Sequence, residues 1–419
     1  MKTIIRLLWI GVLTAAVCPA AEKKPQPSGA ASEASVQELQ DQPLEPWRLE
    51  LLDVAFETAA KMPIKPHLKD RSRTQAMVVE TALKLNQPER ALRYLQQIEN
   101  WRRGACLADL AVYAARQQNA PLAEQYLRQA REIAEKGLSG AHQEPVQEWR
   151  RDLIQSKIAQ GYAQLGQLET ALKAQEGLEP SQRGKMLLGD SQLQQKDLFD
   201  KEVQRLDSEL KQNNADVRNN VLFSYAQMYE MVYDRQEQRS QLEEKIRNSW
   251  SPLPVFLRIQ LLTRLTEAAL DHNDSAKALE LLDEVRRLME KYQWPDETQF
   301  TLGAPLAALR YRAGQPQEAE KEVQTLLKSY EAKRQSIFNI YRADALRPLA
   351  EAYAQMDDKD TALALYKRAV EEGVENLNSR PRAEDLAATC CSMVLFAVEP
   401  DAELRERIRQ IHKGLGQPW

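Results

Sequence analysis

An alanine placed about five residues after a turn residue recurs six times along this 419-residue chain, at Ala91, Ala123, Ala171, Ala278, Ala319 and Ala362. In each copy an apolar pair lies about a dozen residues before the alanine. Small residues at that interval let the backbones of two antiparallel helices approach closely. One such hairpin cannot bury its own apolar face, so successive hairpins must stack and share a core that runs along the chain. Composition agrees: 15 glycines and 7 phenylalanines are few for a β-sandwich or a doubly wound sheet. From Trp47 onward apolar residues fall at i, i+3, i+4 and i+7, the period of amphipathic helices. The expected fold class is all-α.

The clearest unit is residues 349–370, where Leu349, Ala350 and Tyr353 are followed by Ala362, Tyr366 and Ala369. Residues 158–172 repeat it at Ile158, Ala159, Tyr162, Leu165, Gly166, Ala171 and Leu172. Polar joints separate the helices at Asn86-Gln87-Pro88, Gln118-Asn119-Ala120-Pro121, Gly166-Gln167, Asn273-Asp274, Gly314-Gln315-Pro316 and Asp357-Asp358. Several place a residue tolerant of the left-handed region before a Pro or an acid, the order that ends one helix and starts another. This pattern resembles the tetratricopeptide repeat (TPR). The resemblance implies a right-handed α-solenoid of TPR-like antiparallel helix pairs, eight or nine in all, forming one elongated body. The alanines are spaced 32, 48, 107, 41 and 43 residues apart, a departure from a regular repeat, and the 107-residue gap is expected to hide two or three degenerate pairs. A further echo sets Trp101-Arg102-Arg103 and Trp149-Arg150-Arg151 in the same register before Ala111 and Ala159. A break is expected near Ser251-Pro252-Leu253-Pro254, dividing the repeats into 46–250 and 251–419. The polar stretch 234–250 reads either as a bridge between lobes or as one more divergent hairpin.

Residues 1–20 read as a signal peptide: Lys2 and Arg6, an apolar run from Leu7 to Val17, Cys18 at −3 and Ala20 at −1. The run is too short to span a membrane, which takes about 20 residues. Cys18 also raises lipidation, and so membrane attachment, but Val17 departs from the small residue usual before a lipidated cysteine. Residues 21–45, rich in Pro, Ser, Ala and Gln, read as a disordered tether. The implied location is the periplasm or cell envelope of a Gram-negative-type bacterium.

Signatures of chemistry are absent from the sequence. His67, His142, His272 and His412 lie far apart, with no HExxH, no CxxC and no zinc spacing. No GxGxxG, P-loop or GxSxG motif occurs. Cys106, Cys390 and Cys391 read as small buried residues rather than a disulfide framework. With 57 basic and 61 acidic residues the chain carries −4, or −6 once Lys2 and Arg6 are removed, which argues against nucleic acid as a partner. No metal, no cofactor and no enzymatic activity are therefore expected. In TPR proteins the first helix of each pair lines a concave face. Carried onto this chain, that geometry places Arg73, Glu80, Gln160, Gln164, Glu267, Asp344, Arg347 and Glu351 there. The expected function is a scaffold that binds another protein or peptide. The alternative is a helical enzyme or carbohydrate-binding protein acting on an extracellular polymer, with a deep pocket ringed by carboxylates and tryptophans. Self-association to cap the end repeats is a third reading, and the sequence leaves the oligomeric state open.

Overall fold

The computed structural model of the protein describes residues 38–138 and 146–419, which form 18 α-helices and no strand. The expected signal peptide with Cys18, residues 21–37 of the expected tether, and His142 lie outside the described residues. The first helix of each hairpin belongs to an inner series. Its members are α2 (Ile64–Lys84), α4 (Arg102–Arg116), α6 (Glu148–Gln164), α9 (Ala215–Met231), α11 (Val255–Asp271), α13 (Asp296–Arg312), α15 (Asn339–Gln355) and α17 (Ser379–Leu395). The outer partners are α3 (Pro88–Leu95), α5 (Ala120–Lys136), α7 (Leu168–Gln175), α8 (Lys196–Leu210), α10 (Gln236–Ser249), α12 (Ser275–Lys291), α14 (Pro316–Lys333) and α16 (Lys359–Val374). Two further helices, α1 (Pro46–Ala60) and α18 (Ala402–Gly414), stand at the chain ends.

One backbone device makes the joints from inner to outer helix. Asn86, Gln118, Gly166, Asn273, Gly314 and Asp357 all have positive φ. The next N–H then bonds a carbonyl five residues back, as from Gln87 to Ala82, Asp274 to Ala269 and Asp358 to Tyr353, at 2.8–3.0 Å. That closure satisfies carbonyls left over at the helix end. The carbonyl of the same residue accepts from the anchor alanine, so the alanine sits at a fixed place in the first turn of the outer helix. All six anchor alanines are fully buried. A second device, not foreseen from the sequence, marks several joints from outer to inner helix. An arginine in the first turns of the second helix donates to a carbonyl five residues earlier: Arg103 to Ile98, Arg258 to Leu253 and Arg342 to Ile337, at 2.8–3.0 Å. Those three apolar residues are themselves buried. Arg151 departs from this role and pairs with Glu148 and Asp152, so the two Trp-Arg-Arg strings are not equivalent in use.

The 107-residue gap holds two repeats. One is the hairpin α9–α10, so the polar stretch 234–250 is an outer helix and not a bridge between lobes. In the other the inner helix is missing. Residues 183–193 run in its place between α6 and α9, with α8 outside. Gly189 lies so close to α6 that a Cβ there would come within 2.9 Å of the Ala163 carbonyl. Extended backbone in a helical wall needs hydrogen-bond partners from elsewhere. Glu202 accepts from the Leu187 N–H, and Ser224 accepts from the Met186 N–H and donates to the Gly184 carbonyl, at 2.8–3.0 Å. Arg205 donates to the Lys185 carbonyl, and Asn220 donates to those of Ser181 and Arg183.

The body is not elongated. Its last inner helix, α17, packs on α2, and the outer position on α17 is filled by α1 from the other end of the chain. The final repeat is thus completed by the first helix, and the series closes into a ring. Arg48 of α1 donates to the Val394 carbonyl at 2.9 Å, Thr58 bonds His412 at 2.9 Å and Arg409 pairs with Glu50 at 2.7 Å. Leu51, Leu52, Ala55, Phe56 and Ala59 of α1 are buried. Burying each large apolar side chain among them is worth ~1.5–3 kcal/mol, so packing is the main term holding the seam. One apolar cluster accordingly joins both chain ends, and a second runs from Met186 to Ala313, straight through the break expected at 250/251.

The expected tether also ends earlier than residue 45. Leu39 and Leu44 pack against the core, Gln42 bonds the Asn86 carbonyl, and the Asp41 carboxylate caps α3 by accepting from the Glu89 N–H at 2.8 Å. Two leucines and a capping acid supply the contacts that composition alone hid.

Candidate functional site

Charged and amide side chains spaced by about two turns form a stripe along four of the inner helices. Seven-residue spacing keeps them on one helix face. Arg73 and Glu80 lie on α2, Arg102, Asp109 and Arg116 on α4, Arg150, Lys157 and Gln164 on α6, and Asp344 and Glu351 on α15. Because the series closes, these stripes face a shared interior.

All eight residues expected on the concave face lie on inner helices and are half-buried. Arg73 pairs with Glu384 of α17 and with Asp70 at 3.0 Å, so it also fastens the seam. Glu80 pairs with Lys84 at 2.9 Å. Arg347 joins Asp344 to Asp385, the latter at 3.5 Å. Glu351 accepts from Ser392 at 2.6 Å, yet burial still lifts its carboxyl to about 6. Gln160 and Gln164 make no side-chain hydrogen bond among the described residues. Glu267 stands without an ion pair among the described residues, and burial, aided by Asp271 and Glu230, lifts it to about 7 against the pull of Arg264 and Arg312. Glu230 is raised too, chiefly by burial, although Arg264 is 3.4 Å away.

Three groups at the centre of the wall escaped the sequence reading. Asp109 and Lys157 form an ion pair, with side chains 41% and 31% exposed. Water therefore reaches them, but the surrounding wall still raises the Asp109 carboxyl despite the lysine beside it. Burial opposes the charge on Lys157, and Asp109 with Glu80 outweighs it, leaving that amine raised. Lys185, carried on the non-helical stretch and bonded to Gln182 at 2.8 Å, is lowered to about 8 by burial and by Lys157. Asp109 and Lys157 occupy the same register eight residues after Trp101 and Trp149, so extending that echo would have paired them. Lys185 has no such signal, since it lies in the irregular gap.

The thiols of Cys106 and Cys391 are pushed up to about 12 by burial, and all three described cysteines are free and buried. A groove of about 600 Å³ lies outside the ring among α14, α16 and α18. Its cations are already paired: Arg334 with Glu372, Lys367 with Asp401 and Arg407 with Glu371. Among the described residues no three His, Cys, Asp or Glu side chains come together to hold a metal ion, and no helix is long and apolar enough to cross a membrane. No protein-family model matches the chain, and no curated protein is significantly similar to it.

Proposed function

We propose that the protein is an exported, TPR-like scaffold that binds a segment of another protein inside its ring, in the periplasm or cell envelope, without catalysing a reaction. The observation that carries this reading is the set of stripes on α2, α4 and α6, three consecutive inner helices. Charges of both signs are set there at two-turn intervals, suited to a polar chain lying across three repeats. Mixed charge gives register and selectivity more than raw affinity. A photo-crosslinking amino acid at Gln160, inside, and at Lys328, outside, tests it in cells. A discrete partner captured only from Gln160 is expected, and equal capture from Lys328, or none from Gln160, would contradict the reading. Export is tested by the N-terminal residue of the mature protein, expected after Ala20 or, if lipidated, at Cys18.

One observation favours the alternative, a helical enzyme or carbohydrate-binding protein acting on a polymer. Glu267, raised to about 7 beside Glu230, has the character of a group that could exchange a proton near neutral pH. Against it, Trp101 and Trp149 stand at the N-terminal ends of α4 and α6, away from Glu267 on α11. Turnover of an envelope polysaccharide that is lost in Glu267→Gln would favour this second reading over the first.

A further inference from the structure

Lys185 owes its place to the stretch that stands in for an inner helix. Arg205 donates to its carbonyl, and the neighbouring Met186 N–H donates to Ser224, so the backbone is fixed on both sides of it. Ser156 of α6 donates to the Gln182 carbonyl at 3.3 Å, and the Gln182 side chain accepts from the Lys185 ammonium at 2.8 Å. Gln182 thus ties Lys185 to the turn of α6 that carries Lys157, the residue after Ser156. An ammonium carries three N–H donors, and among the described residues Gln182 is the only acceptor for those of Lys185. No carboxylate pairs with it there. Burial is the largest cause of its lowered pKa, Lys157 adds to it, and Asp109, which bonds Lys157, offsets only part. Glu80, the other carboxylate that acts on Lys157, pairs with Lys84 at 2.9 Å. Two ammoniums on different elements therefore act on Asp109, which bonds only one of them.

We propose that Lys185, with Lys157 beside it, is the contact for an Asp or Glu side chain of the segment bound in the ring. This site rests on the scaffold reading and gives the partner a chemistry, that of an acidic peptide. The incoming carboxylate accepts from the open donors of Lys185 and competes with Asp109 for Lys157. The device sits on a stretch that the repeat does not contain, so it belongs to this chain and not to the helix pair as such.

Fluorescence anisotropy of a dye-labelled hexaglutamate peptide, amidated at its C-terminus and compared with hexaglutamine, tests this on the full chain at low ionic strength. The wild type is expected to bind hexaglutamate saturably and about tenfold more tightly than hexaglutamine. Lys185→Gln should weaken hexaglutamate by about fivefold, and Lys328→Gln, on the outer helix α14, should leave it unchanged. Asp109→Asn removes the competing carboxylate and should tighten hexaglutamate several-fold, a gain that a merely destabilised protein does not show. Equal binding of the two peptides by the wild type overturns the proposal. So does a Lys185→Gln protein that binds like the wild type, or an Asp109→Asn protein that binds more weakly. Tighter binding of an oligogalacturonate than of hexaglutamate would overturn the peptide as the source of the carboxylate. A partner captured from Gln160 equally in wild type and in Lys185→Gln would overturn this site and leave the scaffold reading standing. Hexaglutamate binding that depends on Lys185, with nothing captured from Gln160, would support the site and remove the scaffold.

Discussion

The repeat breaks its own rule in two places, and they are repaired differently. At the seam, α17 receives its outer helix from the opposite chain end, yet what packs there is an ordinary helix with an ordinary apolar face. In the stretch 183–193 connectivity is regular but the inner helix is absent, and the repair is polar: Glu202, Ser224, Asn220 and Arg205 hold the backbone. A ring of helices thus accepts a change in connectivity at little energetic cost. A change in backbone conformation must be matched by buried side-chain hydrogen bonds.

The contrast is sharpest at Glu202, which is buried and accepts from the Leu187 N–H and from Arg205. Glu202→Leu strands both, and is expected to cost about 3–5 kcal/mol in urea unfolding. A loss under 1 kcal/mol would remove the polar account of that stretch. At the seam the corresponding test is apolar. Leu52 is fully buried, and Leu52→Ala should cost about 3 kcal/mol, with no comparable loss from Arg409→Gln, whose pair with Glu50 is exposed. If the order were reversed, charge and not packing would hold the seam.

Glycines separate the regions at smaller scale. Gly184 has φ +75, and a Cβ there would lie 2.9 Å from the Val217 carbonyl, so Gly184→Ala should cost about 2–4 kcal/mol in the same unfolding assay. Gly314, at a regular joint with φ +90, has open space around it, so its alanine variant should cost about 1 kcal/mol.

The smallest effect concerns the wall facing the ring interior. Glu267 is raised from 4.5 to about 7, so the folded state holds its proton more tightly than the unfolded chain does. Stability from this group is present below about 4.5 and is lost as pH rises to about 7. Glu267→Gln should therefore match the wild type near pH 4 and exceed it at pH 8 by about 1–3 °C in Tm. Equal melting points at both values would mean that the carboxyl is fully solvated.

The sequence made the repeat legible because its joints are chemical: a left-handed residue, then an anchor alanine where two backbones touch. Every named joint and every anchor occupies its expected place. Closure was not legible, because α1 carries an apolar face like that of the other helices, and nothing in that pattern names its partner. The missing inner helix was equally hidden. Its supports, Glu202 and Ser224, read as ordinary polar residues until the backbone they bind is placed beside them. For the site, the repeat resemblance placed eight polar residues on first helices of the pairs, while the Asp109–Lys157 pair needed two repeats aligned against each other.

Closure by the first helix is the central claim, and hydrogen exchange on the full chain tests it most directly. In an open solenoid the terminal repeats fray first, because each has one neighbour instead of two. In a closed ring there is no terminal repeat. The amides of α1 and α17 should exchange as slowly as those of α13 and α15. Rapid exchange in α1 and α17, graded toward slower exchange in the middle of the chain, would contradict the ring.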